Sequence, residues 1–327
     1  MIRRPYIFHS AAEWAAKPPW KDAPKPKFTF PANSPIRSWR DKSLARLSSQ
    51  SQPRSAGEDF LLCTNMQRNS GLSIGVADGV GGWIDQGIDC SIFSTTLLFY
   101  CRKHFENGWA GEPEIDPSRL RTASNVSSEG VEMTPLNALQ LAYQDLLADE
   151  SVIAGSSTAS LLTLNASSGL LRSANLGDSG FCIVRSSAMF YNSPPQTHFF
   201  NCPWQLSKFN DPGDKIVSIN DSPRAAQEYS TRLIDGDIII AYTDGLSDNV
   251  FPDDILKICA LVMQGLEPDE AKVQNLARSL VHYAQKRMDG LGITPFELEA
   301  RRHRKQVWRG GKVDDVTVVV ALVKETP

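Results

Sequence analysis

No stretch of the 327 residues is a convincing membrane span. The longest apolar run near the end, VTVVVALV at 316–323, is far shorter than the roughly 20 residues a helix needs to cross a bilayer. The opening MIRRPYIFHSAAEWAAK carries two arginines but no apolar secretory core. The six cysteines, Cys63, Cys90, Cys101, Cys182, Cys202 and Cys259, form no C-x-x-C pair. This argues against a zinc ribbon or a thioredoxin-like centre and favours reduced cysteines acting as small core residues in an intracellular protein. Histidine is scarce, five in all. His104, His198, His282 and His303 are scattered and read as structural or surface residues. There is no internal repeat and no low-complexity segment.

Charge is uneven. Residues 1–57 hold eleven Lys/Arg against three Asp/Glu, a balance of +8, which leaves −11 for the rest of a chain whose total is −3. A basic leader on an acidic body reads as a targeting segment, a nucleic-acid arm or a solvated tail. The acidic body argues against nucleic acid as the main partner. Residues 1–25 are expected to be a basic tail or a transit segment; Arg, Ser and a first acid only at Glu13 suit the latter, while the prolines at 5, 18, 19, 24 and 26 work against a continuous helix. Residues 26–327 read as one domain, with KFTF (27–30) as a first strand and 107–134 as a surface insertion.

Apolar runs and turn residues place the other elements. FLLCTNM, the turn QRNSG and LSIGVADG make a hairpin. Residues 91–106 form a buried helix, and 134–147 a helix capped by Thr134 with Pro135 at its first position. STASLLTLN, GLLRSANL and GFCIVRS are strands, followed by STRLID and DIIIAYTDG. Helices fit 253–263 and 268–287, and VTVVVALV closes the chain. Meandering strands with helices grouped between them indicate an α+β architecture rather than alternating βαβ units.

Two of these apolar runs stop on Asp-Gly, at Asp78-Gly79 and Asp244-Gly245. Two others start just after acids, at Glu58-Asp59 and at Asp314-Asp315. In a hairpin the start of one strand lies beside the end of the next, so Asp59 and Asp78 share an edge. The same polarity allows Asp244 to lie beside Asp314. Asp-Gly after a strand is also an ordinary turn; the recurrence is what turns the reading toward a site. Clustered carboxylates repel one another unless a cation neutralises them. With no histidine or cysteine pair nearby, an oxygen-only site suits Mg²⁺ or Mn²⁺. Glycine after Asp78 permits a sharp turn and a close backbone approach.

GEDF, VADGVGGW, GSSTASLLTL (155–164), ANLGDSGF (174–181), YTDGLSDN (242–249) and GGKVDDVTVVV (310–320) occur in the order seen in the type 2C metal-dependent protein phosphatases, the PPM family. The chain resembles that family over residues 57–320. VADGVGGW, NLGDSGF, HFFNCPWQLS (198–207) and RGGKVDDVTVVV resemble its type-7 subgroup, whose members are typically mitochondrial. The resemblance implies a four-layer α-β-β-α sandwich of two antiparallel sheets flanked by helices. It implies a serine/threonine phosphatase with two ions, Mg²⁺ or Mn²⁺, acting on phosphoprotein substrates as a monomer. Asp78 would bridge both ions, and Asp244 and Asp314 would complete one shell. The Gly79 carbonyl would bind the other ion, with Glu58 and Asp59 near it, partly through water. Arg54 stands where many members carry a phosphate-binding arginine; the alternative is an ordinary linker residue.

Many relatives have histidine after the Asp-Gly as a proposed general acid. This chain, like the type-7 subgroup, has Val80. Asp248 matches one ligand of a third, weaker ion found in some members, but the other falls near Ile153, so that site is expected to be weak or absent. Asp178 reads as a turn residue, Asp315 as a hydrogen-bonding neighbour, and Ser156, Ser157 and Thr158 as packing residues. The rival reading is a catalytically weak or inactive member of the same fold, acting as a regulatory binding protein.

Overall fold

The computed structural model describes residues 4–19, 25–47, 55–111, 132–209, 219–303 and 308–326. The chain opens with β1 (Tyr6–Ala15), α1 (Pro35–Leu47), β2 (Asp59–Asn65), β3 (Gly71–Asp78), α2 (Ser91–Glu106) and α3 (Pro135–Ala148). The middle is stranded: β4 (Gly155–Ser157), β5 (Ala159–Asn165), β6 (Leu170–Leu176), β7 (Gly180–Arg185), β8 (Ala188–Asn192), β9 (Thr197–Phe199), β10 (Cys202–Pro203), β11 (Leu206–Lys208), β12 (Gln227–Arg232) and β13 (Ile238–Tyr242). It closes with α4 (Asp244–Ser247), α5 (Pro252–Met263), α6 (Asp269–Met288), α7 (Pro295–Arg302) and β14 (Val316–Glu325).

Two five-stranded sheets carry the fold, in the orders β1-β14-β13-β7-β8 and β12-β6-β5-β3-β2. All their ladders are antiparallel. The long apolar runs are explained by two covered faces. On β14, Val319, Ala321 and Val323 join the core that both sheets share, while Val316, Val318, Val320 and Leu322 join the core under α5 and α6. β7 divides the same way, Phe181 and Ile183 against Cys182 and Val184. α2 and α3 cover the other sheet with Leu97, Leu98, Leu139 and Leu146, all fully buried. Each such side chain contributes about 1.5–3 kcal/mol by leaving water. The result is the expected α+β sandwich, two antiparallel sheets flanked by helices.

Thr134 caps α3 as expected, its side chain accepting from the Asn137 amide at 3.2 Å. Four other segments differ from the sequence expectations. Residues 6–15 are a strand rather than a tail: β1 pairs with the whole of β14, from Tyr6 opposite Glu325 to Ala15 opposite Val316. Small residues at 11, 12 and 15 and the buried Trp14 let it lie flat under α6. Pro5 and Pro18 stop a helix but flank an edge strand without harm. Removal of residues 1–25 would therefore strip an edge from the sheet. KFTF makes only a single bridge, Phe28 to Ile88, because Pro26 and Pro31 leave no room for a ladder. α1 and α7 each start on Ser/Thr-Pro, at Ser34-Pro35 and Thr294-Pro295. Of the 107–134 insertion, residues 112–131 lie outside the described residues; its two ends meet through a Trp109–Glu132 bridge. All six cysteines are free thiols.

Candidate active site

The β2–β3 hairpin sets Asp59 directly opposite Asp78. Its closing contact is the Gly79 amide donating to the Glu58 carbonyl at 3.1 Å. A Cβ at Gly79 would lie 2.4 Å from the Cys90 carbonyl and 2.7 Å from that of Glu58, so no larger residue fits. The other sheet supplies Asp244, the first residue of α4, and Asp314 with Asp315 just ahead of β14. Gly245 is equally crowded, since a Cβ there would meet the Asp315 carbonyl at 1.9 Å. The glycine after Asp78 thus lets the turn pack against the Glu58 and Cys90 backbone, and the glycine after Asp244 lets α4 start against the backbone ahead of β14.

The link between the sheets is direct. The Thr243 hydroxyl donates to Asp59 Oδ2 at 2.7 Å, and the Thr317 amide donates to Thr243 Oγ1 at 3.0 Å. Asp315 is spent on backbone, accepting from the Lys17 amide at 2.8 Å and the Glu58 amide at 2.9 Å. Two ammonium groups stand among the remaining carboxylates. Lys17 Nζ lies 2.8 Å from Glu58, 3.0 Å from Asp314 and 3.5 Å from Asp315. Lys312 Nζ pairs with Asp244, with Asp248 at 2.9 Å and with Asp314 at 3.1 Å. Asp314 thus joins the two groups through its two oxygens. Among the described residues no three His, Cys, Asp or Glu side chains form a ready-made metal cage; the lysines intervene.

Burial and mutual repulsion set the titration. Asp78 is pushed well above the usual carboxyl range by burial, then by Asp244, Asp59, Asp314 and Asp178. Asp59 is raised by burial and by Asp315, and Asp248 is raised by burial to about 7 although it is paired with Lys312. Burial also lifts Glu58 in spite of its contact with Lys17. Burial pushes on Asp314 as well, but Lys312 and Lys17 outweigh it and hold that carboxyl below its usual value. Buried oxygens without a partner remain on Asp59 (Oδ1), Asp178 (Oδ1) and Asp244 (Oδ1). Such atoms are costly unless a cation or polar group meets them.

Glu58, Asp59, Asp78, Gly79, Asp244 and Asp314 are therefore brought to one sandwich edge. Arg54 lies outside the described residues. Three participants were not expected from sequence. Asp178, read as a turn residue, faces the cluster and is raised by burial and by Asp244. Lys312 stands in the GGKVDD motif but carried no weight there, and Lys17 sat in the presumed tail. Ser156, Ser157 and Thr158 play hydrogen-bonding parts; Thr158 Oγ1 accepts from the Asp78 amide at 3.1 Å. His104, His198 and His303 pair with Asp145, Asp221 and Glu299 at 2.8, 3.0 and 3.1 Å. A cavity of about 240 Å³ between α1 and the start of β2 borders Asp59, with Arg40, Asp41 and Ser91 in its wall.

Comparison with known proteins bears on the family and the fold. The chain is 36% identical over 256 residues to the protein phosphatase PTC7 homolog fig of Drosophila willistoni, covering 76% of this chain and 72% of the relative. It is 36% identical over 268 residues to the protein phosphatase PTC7 homolog of Homo sapiens, covering 80% and 79%. The chain belongs to the PTC7 family of protein phosphatases. A further relative is the 5-azacytidine resistance protein azr1 of Schizosaccharomyces pombe, 36% identical over 271 residues and 82% of each chain. No family model matches. Among solved structures, the photosystem II phosphatase PBCP superposes with a TM-score of 0.63 at 22% identity, over 97% of this chain and 99% of that one. The catalytic domain of the serine/threonine protein phosphatase PstP in complex with two manganese ions gives 0.52 at 14% identity, over 98% and 100%. The fold is that of the type 2C phosphatases, and this PTC7-family chain is a protein phosphatase.

Proposed function

We propose that the chain hydrolyses phosphoserine and phosphothreonine esters on protein substrates with the help of two divalent cations, Mg²⁺ or Mn²⁺. The observation that carries this reading is the acidic edge itself: two sheets deliver Glu58, Asp59, Asp78, Asp244 and Asp314 to one place, with unpartnered buried oxygens on Asp59 and Asp244. Hard oxygen donors of this kind fit Mg²⁺ or Mn²⁺. In this reading Asp78, Asp244, Asp314 and the Gly79 carbonyl would hold the two ions, with Glu58 and Asp59 near them. When bound, the cations supply positive charge for the phosphoryl oxygens and acidify a water for attack.

The protein's own task is positional. Thr243 and Thr158 fix Asp59 and Asp78 by hydrogen bonds, and Asp315 locks the Glu58 and Lys17 backbone. Val80 offers no proton, so the leaving oxygen takes its proton from water. Arg54 remains the proposed phosphate-binding arginine. The usual sign of the inactive-member alternative is a lost metal carboxylate, and the main ones, Asp59, Asp78, Asp244 and Asp314, are present. The chain is proposed to act as a monomer, since every carboxylate of the cluster comes from one copy. Among the described residues no helix is long and apolar enough to cross a membrane. A mitochondrial address, implied by the type-7 likeness, is proposed with β1 retained in the working enzyme. A C-terminal fluorescent fusion seen only in the cytosol would remove that address.

The central test is release of phosphate from a phosphothreonine peptide by metal-free protein, alone and with Mn²⁺ or Mg²⁺. Turnover is expected only with added cation and is abolished by EDTA. Full activity in EDTA would sink the two-cation reading.

A further inference from the structure

We propose that Lys17 and Lys312 are resident counter-ions of the carboxylate edge, competing with divalent cations for the same oxygens and so setting how tightly the site holds them. The inference rests on the two-cation reading above. Of the carboxylates assigned there to cations, Glu58 and Asp244 each give an oxygen to one of these ammonium groups, and Asp314 gives one to each. Neither lysine is a loose surface residue, at 28% and 14% side-chain exposure.

Both are anchored at the backbone as well. The Lys17 amide donates to Asp315 Oδ1. The Lys312 amide donates to Asn249 Oδ1 at 2.9 Å, and Asn249 Nδ2 donates back to the Lys312 carbonyl at 2.9 Å. Lys312 Nζ also lies 5.3 Å from the Phe296 ring centroid. The clamped backbone keeps each ammonium within reach of the cluster, so that only the side chain has to swing away.

Burying several carboxylates with no positive charge is strongly unfavourable. The lysines provide that charge from within the chain, and the sheets can close before any ion arrives. The same contacts then oppose an incoming cation, which must displace an ammonium and break charge-assisted hydrogen bonds. Each lysine meets two carboxylates of the assigned set, Asp244 and Asp314 for Lys312 against Glu58 and Asp314 for Lys17. Lys312 is the more buried of the two, so it is the stronger competitor.

The experiment compares wild type, Lys312→Met, Lys312→Arg and Lys17→Met. Mn²⁺ binding to the metal-free proteins is followed by titration calorimetry, and thermal melting is recorded in EDTA. Lys312→Met is expected to bind Mn²⁺ about tenfold more tightly, Lys17→Met by a smaller factor, and Lys312→Arg close to wild type. Both methionine variants should melt lower than wild type without metal. If wild type binds Mn²⁺ and Lys312→Met binds it no more tightly, the counter-ion inference fails while the two-cation reading stands. An unchanged metal-free melting temperature also counts against it. If wild type binds no Mn²⁺ at all, both fall. Should Lys312→Met fold only with metal, its folding is titrated with Mn²⁺ by circular dichroism. The midpoint must then lie below the concentration that half-saturates wild type, and a midpoint at or above it overturns the inference.

Discussion

On β14, Val319, Ala321 and Val323 bury themselves in the core between the sheets, while just ahead of the strand Asp314 and Asp315 face carboxylates and lysines. β3 shows the same contrast: Ile74 and Val76 are fully buried, and Asp78 ends the strand among four other acids. The interior is stable because its side chains leave water and meet each other. The edge is held together against its own repulsion, by Thr243, by the backbone bonds of Asp315 and by two lysines. Side chains in the interior therefore matter for stability, and those at the edge matter for chemistry at some expense in stability.

The largest expected effect breaks the edge alone. Asp78→Asn should lower phosphatase turnover by about 10³-fold or more, ~4 kcal/mol in the barrier, while the metal-free protein melts no lower than wild type because one repelling charge is gone. Steady-state kinetics with Mn²⁺ and melting in EDTA check the pair; a variant that keeps most of its activity contradicts the site. The converse change breaks the interior. Phe181→Ala, at a fully buried ring 5.2 Å from Tyr191 and 6.2 Å from Tyr229, should cost about 3–5 kcal/mol of stability in urea unfolding. Its turnover at 25 °C with metal should stay near wild type; a loss of turnover as large as that of Asp78→Asn would erase the distinction.

The smallest effect sharpens the comparison through pH. Asp59, Asp78 and Asp178 have folded-state pKa values well above those of an unfolded chain, and Asp248 lies at about 7, with burial as the leading cause for all four. A carboxyl raised in this way contributes stability below its unfolded value near 4, and that contribution is lost as pH rises through its folded value. The metal-free protein should therefore melt a few degrees lower at pH 8 than at pH 5.5. Saturating Mn²⁺ should cancel or reverse that slope, since a cation favours the ionised carboxylates. A metal-free melting temperature that rises across this range would show that the carboxylates do not repel as described.

Much of this was legible before any coordinates. Periodicity found α2, α3, α5, α6 and the sheet strands other than β1 and β8, because apolar runs bounded by turn residues mark each of them. Strand polarity was enough to pair Asp59 with Asp78. Ser34-Pro35 and Thr294-Pro295 carried the same start signal as Thr134-Pro135, so α1 and α7 were readable but weakly supported by apolar pattern. β1 was not readable: YIFHSAAEWA has small residues where strands usually carry branched ones, and its stability comes from a partner 300 residues away.

The order of residues by itself determined where strands stop on carboxylates and which of those stops belong to one hairpin, since both follow from local apolar runs and the direction of the chain. Only the tertiary structure decided that Lys17 and Lys312 stand among those carboxylates, that Asp178 joins them, and that Asp315 is taken up by backbone amides. Charge balance at a buried edge depends on distances between residues remote in the chain, and no local pattern encodes those.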